Sequence, residues 1–151
     1  MEPVTTTALH ALALRRAELR ESIGALEASL AAPASGRPVV WGERVHTALV
    51  TVAGDFREHI AVTEGDGGLH QAILAGDLRL ANAVDALTSE HHLIGAELAA
   101  LVEDTEPPVT AEDAPQVRER ATRLLGIVVG HRQRGADLIY EAYQTDIGGG
   151  D

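Results

Sequence analysis

Three histidines stand where the pattern of the chain calls for an apolar residue. Apolar side chains recur three and four residues apart through four stretches, and His59, His91 and His131 each fall on that spacing in a different stretch. Neutral imidazole is a good donor to iron, zinc, copper or nickel, whereas calcium and magnesium prefer oxygen ligands. A single histidine on an apolar face reads as a hydrogen-bonded core residue. Three of them on three helices read as the makings of a transition-metal site, because side chains from facing helices can converge inside a bundle.

The elements that must position these residues are delimited by three loop signals: residues 32–38 with two prolines, the Gly65-Asp66-Gly67-Gly68 turn, and a segment from Glu103 to about Pro115 containing Pro107-Pro108. Between them the spacing predicts helices over 7–31, 39–64, 78–102 and 112–145, with a short helix over 69–75. Thr5, Thr6 or Thr7 can cap the first, and Thr110 precedes an acidic first turn of the last. The tail 146–151 is expected to end the last helix.

The inward seams are explicit. Leu9, Leu12, Leu19, Ile23, Leu26 and Leu30 line the first helix, with Arg16 interrupting them. Val45, Ala48, Val52 and Phe56 lead to His59, and Leu80, Val84 and Leu87 lead to His91. Val117, Ala121, Leu124 and Val128 lead to His131. Four amphipathic segments joined by modest connections specify an all-α, antiparallel up-down four-helix bundle, one domain spanning 1–151. At about 1.5 Å of rise per residue the three histidines can share one half of such a bundle, which leaves open whether they meet at a single point.

Composition removes many alternatives. The 151 residues include no cysteine, which excludes thiolate metal sites, iron–sulfur clusters and cysteine nucleophiles. All 12 basic residues are arginine, so Schiff-base chemistry and a phosphate-loop lysine drop out. A net charge of -11 opposes docking on nucleic acid or anionic lipid. No apolar run approaches a membrane span and the start of the chain lacks a signal-peptide pattern, so the expectation is a soluble cytoplasmic protein.

The arrangement of His59 near Glu64, Glu90-His91 followed by Leu93-Ile94, and His131 resembles the hemerythrin-like, HHE cation-binding family over most of the chain. Gly67-Gly68-Leu69 before the short helix, and the ending 136–143, look like variants within its bacterial branch. The resemblance implies four helices around a non-haem iron centre of one or two ions, and binding or sensing of oxygen, reactive oxygen species or nitric oxide. Family members hold two irons with histidines from all helices and with carboxylates placed four or five residues after a histidine. Here Arg16 falls near the slot of the first-helix histidine, and His10 lies nearly two turns earlier, off the seam. Thr63 occupies the fourth position after His59, and Gly135 with Ala136 follow His131, Asp137 coming one residue late.

A guanidinium cannot ligate a metal and repels one, so a complete two-iron centre is disfavoured. Two expectations remain. One is a modified site in which His59, His91, His131 and Glu64 hold one metal, with Arg16 steering an anionic species. The other is a metal-free hemerythrin-like scaffold, in which Arg16 pairs with Glu64 or Asp137, that binds a small acidic ligand or a protein partner. His46 and His92 are expected on the flanks, and His70 in the short insert is a spare ligand. Trp41, Tyr140 and Tyr143 are expected to be packing anchors. Arg118, Arg120, Arg123, Arg132 and Arg134 are expected on a solvated face.

Overall fold

The computed structural model describes residues 3–144, with side chains over 7–143. Among these residues there is no strand. Four long helices, α1 (Pro3–Ala31), α2 (Pro38–Glu64), α4 (Ala81–Thr105) and α5 (Ala114–Ile139), are joined by a short α3 (Leu69–Gly76) and a 3-10 turn (Leu78–Leu80). A wider π turn (Tyr140–Gln144) continues from α5. None of the helices is long and apolar enough to cross a membrane.

The breaks follow local chemistry. Pro38 opens α2, where a missing N–H costs nothing. Gly67 adopts a left-handed φ of 73° in the turn after α2, and a side chain on Gly68 would collide with the Val62 and Gly65 carbonyls. The Asp77 carboxylate accepts from the Arg79 backbone N–H at 3.0 Å and seeds the 3-10 turn that delivers the chain to α4. That turn delays the start of α4 from the expected 78 to 81. The Thr110 hydroxyl accepts from the Asp113 N–H at 3.1 Å in a separate turn, so Thr110 does not cap α5, which begins at Ala114 with the expected acidic residues Glu112 and Asp113 before it. At the other end of the chain α1 is already helical at Pro3, so Thr5, Thr6 and Thr7 lie inside the helix instead of capping it. The side chains of Thr5 and Thr6 and the tail from 145 lie outside the described residues.

Helix α1 packs on α2, α2 on α4, α4 on α5 and α5 back on α1. The buried side chains fall into two apolar clusters. The larger includes Leu19, Phe56, Ile94 and Val128; the smaller includes Leu12, Leu87 and Leu138, with α3 contributing Leu69 and Ile73. On each long helix the boundary between clusters coincides with the polar exception on the seam. Arg16 lies between Leu12 and Leu19, His59 follows Phe56, His91 lies between Leu87 and Ile94, and His131 lies between Val128 and Leu138. A polar layer thus crosses the interior between the two apolar clusters.

Packing far from this layer is close. Gly42 on α2 faces Val109 of the α4–α5 connection, and a Cβ there would sit 2.5 Å from the valine Cγ2. Gly42→Ala should therefore destabilise the protein by about 1–3 kcal/mol despite the better helix propensity of alanine. Urea unfolding should give a lower midpoint with an unchanged slope; an equal or raised midpoint would show that the loop yields freely.

Candidate metal centre

Helices α2, α4 and α5 bring His59, His91 and His131 to one point. One ring nitrogen from each lies within 4.8 Å of the other two, and all three side chains are buried. The ring centroids are 4.7 to 5.5 Å apart, with steep angles between the rings. Phe56, one turn before His59, meets all three rings at 5.6 to 6.0 Å and closes the layer on the side of the larger cluster.

Carboxylates fix two of the three rings. His91 donates from Nδ1 to Glu64 Oε2, and His131 donates from Nδ1 to Glu90 Oε1 at 2.7 Å. A carboxylate only accepts, so each Nδ1 carries the proton and each Nε2 keeps a lone pair. Such partners orient metal-ligating imidazoles and raise their basicity as donors. His131 Nε2 lies 3.4 Å from His59 Nε2, and His59 Nδ1 is buried with no hydrogen-bond partner among the described residues. The interior is rich in lone pairs and poor in protons, which is what a cation requires.

Burial sets the charge state. It pushes the His59 imidazole down to about 3, helped by the neighbouring His91, His131 and Arg16. His91 is pushed down to about 4 by burial, against the opposing pull of Glu64. Burial also lowers His131 and His70. Burial would raise Glu90, but hydrogen bonds from His131 and Arg134 outweigh it and hold the carboxyl below its usual range. Neutral imidazoles face a shared centre, with carboxylates behind two of them.

The expected residues are therefore sorted by geometry. Glu64, expected beside the three histidines as a ligand, meets instead the outer nitrogen of His91. Thr63 donates its hydroxyl to the His59 carbonyl at 2.9 Å and borders the same cavity as the histidines. Arg16 makes no ion pair with Glu64 or Asp137 among the described residues: the first is on His91, and Asp137 accepts from Gln133. His70 is buried, stacked parallel on His91 at 5.8 Å, with Nδ1 3.4 Å from the Thr88 hydroxyl. His10 and His92 are exposed. His46 is half-buried and donates to the Thr105 hydroxyl at 2.9 Å, the threonine proton going to the Leu101 carbonyl.

Several side chains depart from the expected solvated face or core. Arg118 donates to the Leu30 and Ala32 carbonyls at 2.9 and 2.8 Å, satisfying the end of α1, and its guanidinium lies 5.0 Å over the buried Trp41 ring. Arg134 is exposed as expected and pairs there with Glu90 at 2.6 Å. Arg132 is half-buried beside the histidines. Arg120 and Arg123 pair with Asp104 and Glu119 near the surface, as a solvated face requires. Tyr140 is 66% exposed, because the chain leaves the α-helical phase at the π turn; Tyr143 packs on the smaller cluster.

Glu90 is the functional residue that periodicity did not reveal. It stands one position before His91, about 100° around the helix from the seam, and its partner His131 lies on another helix. The fold and the site together define an all-α, four-helix protein with an interior three-imidazole cluster. Comparison with family models, curated proteins and solved structures returns no match.

Proposed function

We propose that this chain is a hemerythrin-like protein, an antiparallel up-down bundle, that holds one transition-metal ion on His59, His91 and His131. The observation that carries the reading is the convergence of three buried neutral imidazoles, two of them oriented by Glu64 and Glu90. One ion fits better than two. The nearby carboxylates are spent on the outer nitrogens, leaving none to bridge a second ion, and the Arg16 charge close to His59 and His131 opposes added positive charge.

Non-haem iron is the ion that the family likeness favours, and imidazole donors suit it. Three protein ligands leave coordination positions open, which is the arrangement for binding oxygen, a reactive oxygen species or nitric oxide. The chain's own residues supply the rest. Glu64 and Glu90 hold the rings in one tautomer, Phe56 excludes water from one side, and His70 braces His91 by stacking.

Elemental analysis tests this. Tag-free protein stripped with chelator and incubated anaerobically with ferrous iron should retain one equivalent after gel filtration. Two equivalents would restore a binuclear centre. Retention of none, together with identical thermal melts in chelator and in iron, would leave the metal-free scaffold.

A further inference from the structure

Arg16 on α1 and Arg132 on α5 line the same cavity, of about 30 Å³, that the three histidines border. Neither guanidinium has an ion pair or a hydrogen bond among the described residues, and the Arg132 Nε–H is buried without an acceptor. This is unusual in a chain with 23 acidic residues against 12 basic ones. Arg134, nearby on α5, is by contrast paired with Glu90. No carboxylate among the described residues pairs with either of these half-buried guanidiniums.

We infer that Arg16 and Arg132 form a receptor for a small anion with two oxygens at carboxylate spacing, seated in the cavity beside the histidine cluster. Guanidinium presents paired N–H groups that match such an anion, and each bond formed would be charge-assisted. The cavity sets the size. A space of this measure admits one or two water-sized groups, which suits an anion as small as formate or nitrite. The receptor consists of arginines alone and does not depend on the proposed metal.

The test uses the full chain kept metal-free in chelator, titrated with 13C-formate against chloride at constant ionic strength. Wild-type protein should bind formate at least tenfold more tightly than chloride. Arg16→Gln and Arg132→Gln should each weaken formate binding at least tenfold, while Arg123→Gln, on the solvated face, should not. Equal binding by wild type and both variants would overturn the receptor, as would binding seen only after metal is restored, which would place the anion on the ion. Should either variant fail to fold, the wild-type formate-to-chloride ratio decides alone, a ratio near one overturning the inference. Because the wild-type and variant titrations are done in chelator, failure there leaves the metal reading intact, and failure of metal retention leaves this result intact.

Discussion

His91→Ala should lower metal affinity at least a hundredfold, measured by competition with a chelator of known strength. A four-ligand structural zinc site in a small domain is worth about 10–16 kcal/mol, so one imidazole carries roughly 3 kcal/mol, or about two orders of magnitude. Glu64→Gln tests the same site from behind. It leaves the three rings in place but weakens the acceptor on His91 Nδ1, and partners of this kind are worth about 10–100-fold in metal affinity. His92→Ala, one residue along and exposed, should change nothing. The metal should also protect the fold. At a free concentration about 1,000 times Kd it contributes about 4 kcal/mol, which raises Tm by roughly 8–16 °C in a protein of this size. That increment should vanish in His91→Ala. A variant that keeps both its metal and the increment would remove α4 from the site.

The metal-free protein should lose stability steeply as pH falls from about 6.5 towards 4. The sign follows from His59 and His91, which titrate near 3 and 4 in the folded chain and near 6.5 when unfolded. Within that window the unfolded chain binds protons that the folded chain refuses, so stability rises with pH and is fully present only above about 6.5. Two histidines give a slope on the order of 2–3 kcal/mol per pH unit, and His131 and His70, lowered in the same direction, add to it. Against a typical total of about 5–15 kcal/mol, one to two pH units decide whether the fold survives. Urea titrations at a series of pH values in chelator measure the slope. His59→Leu should flatten it by about 1 kcal/mol per unit, and a flat wild-type profile from pH 7 to 4.5 would mean that the imidazoles are solvated.

Much of this protein is legible in one dimension. Leu19, Phe56, Ile94 and Val128 are core residues because a helical period places them on one face, and periodicity is a local property. The same rule placed His59, His91 and His131 inside, where they are 7%, 2% and 2% exposed. Proline and glycine fixed the breaks for equally local reasons. Relative height was not legible, because the 3-10 turn that moved the start of α4 by three residues represents about 4.5 Å of rise, nearly the 4.8 Å span of the three nitrogens.

Sequence by itself therefore determined the helices, their inward faces and the polar exception on each. Only the tertiary structure decided that three of those exceptions meet, that Glu64 and Glu90 stand behind histidines of other helices, and that Arg16 and Arg132 share a cavity without a counter-charge. The reason is the range of the forces involved. Helix periodicity is set by residues three and four apart. A hydrogen bond between Glu90 and His131 joins positions 41 residues apart, and it depends on how two rigid rods settle against each other.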